Sequence, residues 1–247
     1  MKTALSLAAG AFLLSGMAQA AEIKVLSTQA TEEAYKELVP QFEKASGHKV
    51  STIFTGTLGV MKRLSDGEAY DLLVMSRQSI DELSQSGKVV AGSRTDIAKS
   101  GVGVAVTKGR PKPDISSVDA LKKTLLNAKS VGYSTGPSGV YVITMFQKLG
   151  IADEIKGKLK QTPTGVFVGS IIASGEAEIG FQQVSELTFF PGIDYVGPLP
   201  AEVQLITVFS AGIQAGAKQV DAAKSLMIFI SAPAAAAVYK KHALDPG

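Results

Sequence analysis

Cysteine is absent from the 247 residues. No disulfide framework and no thiolate metal site can be invoked, so stability has to come from a packed core. Histidine is scarce. His48 and His242 lie far apart, each beside a predicted helix end, with no second ligand type clustered near either. Neither a metal nor a cofactor is expected. Beyond the first twenty residues no segment offers roughly 18 uninterrupted apolar positions, so membrane insertion is not expected. Basic clusters are missing too, because Lys and Arg are scattered and the pairs Lys122–Lys123 and Lys240–Lys241 read as solvated helix faces or ends. Nucleic acid is not an expected partner. Gly56 to Lys62 lacks the Gly-Lys-Ser/Thr ending of a phosphate-binding loop, and Gly101-Val102-Gly103 lies inside a strand without a third glycine. No serine stands in a Gly-x-Ser-x-Gly elbow, which leaves a hydrolase triad without an anchor.

The first twenty residues read as a leader. Lys2 is the positive n-region, Ala4 to Leu14 a short apolar run, and Ala18-Gln19-Ala20 a small-x-small cleavage pattern. A cleavable signal peptide over residues 1–20 predicts export to the periplasm. Loss of Lys2 lowers the formal charge of +3 by one, leaving a mildly basic chain. The remainder is long enough for one large or two small domains with well-buried cores.

Strand-length apolar runs then alternate with amphipathic helical patterns. Strands are predicted at Ile23–Leu26, Val50–Phe54 and Asp71–Met75, with helices at Thr31–Ser46, from Thr57 through Leu64, and at Ser79–Gln85. A second unit places strands at Gly101–Thr107, Ser130–Tyr133, Ile179–Gln182 and Val203–Phe209. Its helices lie at Ser117–Leu126, from the 132–141 turn to Leu149, and at Val168–Ser174, and two terminal helices follow at Asp221–Ser231 and Pro233–Lys241. Such alternation implies an α/β chain with a parallel sheet covered on both faces, in which ligands bind beyond the carboxyl ends of the strands. That rule points to Ser27, Thr28 and Gln29, to Thr55–Thr57, and to Ser76 and Arg77. The segment Gly132-Tyr133-Ser134-Thr135-Gly136-Pro137-Ser138-Gly139-Val140-Tyr141 reads as a strand running through a hydroxyl-rich turn into a helix. It can be an anion cradle or an ordinary capped helix start. Two passages between the units, near Lys99–Gly101 and Glu202–Leu205, make a hinge with a cleft for a small ligand.

The order of Val25-Leu26-Ser27, Phe42-Glu43-Lys44 with Gly47 and Val50, Asp71-Leu72-Leu73-Val74, Gln147-Lys148-Leu149-Gly150, and Gly175-Glu176-Ala177 with Gly180 resembles the periplasmic type II binding proteins of the molybdate-binding branch. The resemblance covers essentially the whole mature chain. It implies a two-lobed fold with a parallel or mixed sheet in each lobe and a double-crossover hinge. Lobe 1 would comprise residues 21–99 plus 205–247, and lobe 2 residues 100–204. The family's molybdate receptors hold their oxyanion with serine hydroxyls, backbone N–H groups and a tyrosine hydroxyl. Here the first serine falls on Ala30 and the tyrosine on Gln183, which offers an amide instead. The expected ligand set joins Ser27, Thr28 and Arg77 from the strand-end rule, where this chain departs from the receptors, to Thr57, Ser134, Ser138, Gly139 and Gln183.

Arg77 directs the expectation toward an organic acid, because guanidinium pairs bidentately with a planar carboxylate; a surface position for it stays open. Arg63 and Arg94 are weaker candidates, the first on a helix face, the second in a structural role. Two functions follow from the resemblance. One group in the branch, the aconitate isomerases, interconverts trans- and cis-aconitate by an allylic proton shift. The alternative is a receptor handing a molybdate-like oxyanion or an organic acid to an ABC permease. Either way the partner is a small anion and the chain is expected to be monomeric. The base is not identified: Tyr133, Tyr141 and Glu186 lie near the cleft, each with a packing or surface explanation as good.

Overall fold

The computed structural model describes residues 20–247, so the predicted leader lies outside the described residues apart from Ala20. The chain runs β1 (Glu22–Thr28), α1 (Glu32–Ser46), β2 (Lys49–Thr55), α2 (Thr57–Ser65), β3 (Leu72–Ser76) and α3 (Arg77–Gln85) into a long strand, β4 (Thr95–Thr107). It continues as α4 (Val118–Asn127), β5 (Val131–Tyr133), α5 (Pro137–Lys148), α6 (Ala152–Ile155), β6 (Leu159–Gln161), α7 (Val168–Ala173), β7 (Ile179–Gln183), α8 (Val184–Leu187) and β8 (Ile193–Pro198). It closes with β9 (Ile206–Ile213), α9 (Val220–Ser231), α10 (Ala236–Lys241) and β10 (Asp245–Pro246).

Strand alternation decides which layer each side chain joins. In β3, Leu72 and Val74 pack under α1, α9 and α10, while Leu73 and Met75 pack under α2 and α3. In β4, Val102, Val104 and Val106 meet Leu121, Leu125 and Phe146, while Ala105 faces Val168 and Ile172. Fully buried side chains of this size each contribute roughly 1.5–3 kcal/mol. Phe146 and Phe181 add an edge-to-face contact at 5.8 Å. Helix α1 stops where the sequence predicts, at Gly47, whose φ of 77° closes the last turn.

The sheet is mixed, not parallel throughout. β1 is parallel to β2 and β3, and β5 to β6 and β7, but β9 runs antiparallel to β3 and β4, and β4 antiparallel to β7 and β8. β4 joins the two halves. Its residues Thr95–Gly101 pair with β9, and the stretch from Val102 onward pairs with β7. The predicted strand 101–107 is thus only its second half; the first carries Asp96, Lys99 and Ser100 and a register shift between Asp96 and Ala98, which blur the apolar pattern. The return strand starts at Ile206, not Val203, because Ala201–Val203 forms a 3-10 turn after Pro200. Among the described residues no single helix is long and apolar enough to cross a membrane.

Candidate functional site

Loops at the carboxyl ends of β1, β2, β5 and β7 converge where the halves meet. They close on a narrow hollow of ≈ 10 Å³, room for about one water molecule, lined by Thr28, Gln29, Gly56, Ser134, Thr135, Gly136, Pro137, Val166, Gln182 and Glu186. The halves touch around it. Gln29 Nε2 donates to the Gly165 carbonyl at 3.0 Å, and Ser185 Oγ to the Ala30 carbonyl at 2.8 Å. Gly56 lies so close to Thr135 that a Cβ there would stand 2.5 Å from the Thr135 hydroxyl.

Two helices begin at the cavity wall. Gly56 precedes α2 and Gly136 precedes α5, and neither provides a side-chain cap. Glycine offers no side-chain acceptor to the first N–H groups; in α2 the Gly59 N–H turns back to the Gly56 carbonyl at 2.9 Å and in α5 Pro137 has no N–H, and the remaining ends favour a negative charge. In the α5 turn, Ser134 Oγ accepts from the Gly136 N–H at 3.1 Å and lies 3.3 Å from Ser138 Oγ. A Cβ at Gly139 would overlap the Ser134 carbonyl oxygen, so only glycine lets the chain fold back here. Ser134 therefore both builds the turn and lines the cavity, whereas Ser138 and Gly139 are buried beneath it and shape it.

The other predicted site residues fall elsewhere. Thr28 lines the cavity, but Ser27 is fully buried with its hydroxyl donating to the Thr28 carbonyl at 3.0 Å. Thr57 and Arg77 line a separate, wider depression of ≈ 560 Å³, with Tyr141, Lys148 and Thr207; Pro137 is common to both hollows. The Arg77 guanidinium is taken by Asp96, which also receives Arg94 Nη1 at 3.0 Å and Ser210 Oγ at 2.6 Å. Gln183 is fully buried at the strand crossing. Its amide nitrogen donates to the Ser100 and Gly101 carbonyls, each at 3.1 Å, and its oxygen accepts from Thr207 Oγ1 at 3.1 Å. It ties β7 to β4 and β9. Tyr141, one of the three groups left open as a base, donates its hydroxyl to the Val203 carbonyl at 2.6 Å.

Glu186 is the cavity's one titratable side chain. Its Oε1 accepts from Gln182 Nε2 at 2.9 Å and its Oε2 from the Gln183 N–H at 3.2 Å. Burial pushes its pKa up to about 8, against the lowering effect of those two donors and with a smaller push from Glu32. The residue also borders a groove of ≈ 310 Å³ with Glu32, Glu33, Phe167, Phe189, Phe190 and His242. Among the described residues no cluster of His, Asp and Glu could hold a metal ion. Gln29, Thr135, Gln182 and Val166 are wall residues that the sequence ligand set does not include; for Gln29 the end-of-strand rule was the available signal.

Such loops, closing on a small cavity between two sheet halves joined by crossing strands, are the architecture of periplasmic binding proteins. The structure superposes on the periplasmic molybdate-binding protein of Azotobacter vinelandii with a TM-score of 0.75 at 22% identity, covering 90% of this chain and 98% of that one. It also matches the sulfate-binding protein SubI of Mycobacterium tuberculosis, with a TM-score of 0.72 at 17% identity, covering 92% and 87%. The model of the bacterial extracellular solute-binding protein family matches residues 23–244, and the chain belongs to that family. Among characterised relatives it is 35% identical to an aconitate isomerase of Pseudomonas sp, over 98% of this chain and 96% of that one. It is 30% identical to the molybdate-binding protein ModA of Azotobacter vinelandii, over 96% and 95%.

Proposed function

We propose that the chain is an exported aconitate isomerase, interconverting trans- and cis-aconitate in the cleft between its halves, which opens from the closed hollow to admit the substrate. Glu186 carries this reading. A carboxyl with a pKa near 8, set in the wall of a small anion-binding cavity, suits a base that takes a weakly acidic proton and gives it back. The aconitate isomerase relative supports the choice of substrate.

In the proposed reaction Glu186 removes a methylene proton, and the electron pair spreads over the allyl system into the adjacent carboxylate. The Thr28, Ser134 and Thr135 hydroxyls and the first N–H groups of α2 and α5 stabilise that charge. The proton then returns to the far allylic carbon, moving the double bond into the cis arrangement. Arg77 has no part in this scheme, since Asp96 holds it. Residues 21–99 with 205–247 and residues 100–204 act as the two lobes, opening about the crossings at Gly101–Val102 and Val203–Ile206.

Purified protein mixed with trans-aconitate, followed by NMR for cis-aconitate, tests the proposal. Turnover lost in Glu186→Gln with binding retained is the expected result. The ModA relative favours a second reading, a receptor that delivers its ligand to an ABC permease. Tight tricarboxylate binding without turnover would establish the receptor, and molybdate binding without tricarboxylate binding would overturn both carboxylate readings.

A further inference from the structure

Gln182 is buried at the end of β7, and the two ends of its amide face different partners. Oε1 accepts from the Val168 backbone N–H at 2.7 Å, and Nε2 donates to Glu186 Oε1 at 2.9 Å. The Val168 N–H can only donate, so the amide oxygen must face it. The other end is then an NH2 group, which can only donate as well. We propose that Gln182 is a positioning residue for Glu186, its locked amide donating to Oε1 while the Gln183 N–H donates to Oε2, so that the carboxyl is held in one orientation and its ionised form is favoured.

The assignment rests on the proposed base role of Glu186 and adds the residue that orients it. The geometry has a direct electrostatic consequence, since a donor to one carboxylate oxygen favours the ionised form. The charged and titratable groups on the neighbouring elements are Glu32 and Glu33 at the start of α1, with His242 across the groove. Lys36 bridges Glu32 at 2.6 Å and so offsets its charge. Among the described residues Gln182 is the one side chain that donates to the Glu186 carboxyl; the other donor is the Gln183 backbone.

The test is a titration of protein carrying δ-13C-labelled glutamate, with Glu186 assigned as the resonance missing in Glu186→Gln. Gln182→Met removes the donor and should raise the Glu186 midpoint by about one pH unit. The rise of the rate with pH should move up equally, lowering turnover at neutral pH about tenfold, with KM for trans-aconitate held within about twofold. Gln182→Glu keeps an acceptor for Val168 while placing a second carboxyl against Oε1, so it should raise the midpoint further. In the unaltered protein, the side-chain amide protons of Gln182 should shift with the same midpoint as Glu186. That measurement needs no variant to fold. A Glu186 midpoint unchanged in both variants, or Gln182 amide protons blind to the titration, would overturn the proposal. Shifted midpoints in a protein without isomerase activity would uphold the role of Gln182 and overturn the proposed reaction alone.

Discussion

Replacing Glu186 with glutamine should change the sign of its effect on stability between acid and alkaline pH. In the folded chain the carboxyl titrates near 8 instead of 4.5, because burial opposes its ionised form more strongly than the Gln183 and Gln182 donors favour it. With the folded-state pKa raised, the native state holds the proton more tightly than the unfolded chain. The stabilisation is complete below about pH 4.5 and is lost as pH rises through about 8. At about 1.4 kcal/mol per pH unit, the loss across that window is on the order of 5 kcal/mol. Glutamine cannot ionise and escapes it. What the variant gives up is the Gln183 N–H bond, at about 1 kcal/mol. Urea unfolding of both proteins should therefore find the variant about 1 kcal/mol less stable near pH 4.5 and about 4 kcal/mol more stable near pH 9. A stability difference independent of pH would refute the reasoning whether or not the protein is an isomerase.

Three further substitutions separate site from scaffold. Gly139→Ala drives a methyl into the Ser134 carbonyl and should destabilise the fold by at least about 3 kcal/mol, read as a lowered urea midpoint; a neutral result would mean that the turn relaxes freely. Arg77→Ala should leave tricarboxylate affinity within about twofold and lower stability by less than about 1 kcal/mol, since its pair with Asp96 is 44% exposed on the arginine side. A tenfold loss of affinity in calorimetry would put Arg77 in the site. Gln29→Ala removes a hydrogen bond made across the cleft and should weaken ligand binding by about 1 kcal/mol, roughly fivefold, with thermal stability nearly unchanged.

The sequence reveals strands and helices well where a regular period runs for several residues, as in α1, α9 and β3. It reveals little of α6, β6, α8 and β8, which are too short to show one. The strand-end rule points to Thr28 and Gln29, and the glycine-serine turn to Ser134, and all three line the cavity. Arg77 shows why chemistry cannot be assigned from residue type alone: Asp96, nineteen positions later, lies on the neighbouring part of β4 and takes the guanidinium. Gln183 occupies the end of a strand, as the rule requires, but its side chain turns toward the crossing of β4 and β9, and adjacent strand residues face opposite sides. Gln182, one position earlier, is the one that reaches the cavity. A one-residue difference in register separates scaffold from site here, and no pattern of residue types records it.

In the proposed enzyme a carboxylate base would face a polyanionic substrate, and the surroundings of Glu186 offer a way to limit the repulsion. With a midpoint near 8, the carboxyl is neutral in about nine molecules in ten at pH 7, so an anion entering the cavity meets mostly hydroxyls, N–H groups and a protonated acid. The remaining tenth is a much stronger base than an exposed glutamate. That ten-percent population slows the reaction about tenfold at pH 7, but the gain of about 3.5 pKa units in base strength offsets it, because proton abstraction from carbon depends steeply on the strength of the base. Burial creates this state, and burial depends on closure. Ser185, next to Glu186 on α8, donates across the cleft to the Ala30 carbonyl. The contact that shuts the cavity thus adjoins the residue whose titration needs it shut. Opening the halves to admit a ligand would hydrate Glu186 and lower its pKa toward 4.5, and closing them would raise it again, so in the proposed enzyme the base acquires its strength as the substrate is enclosed.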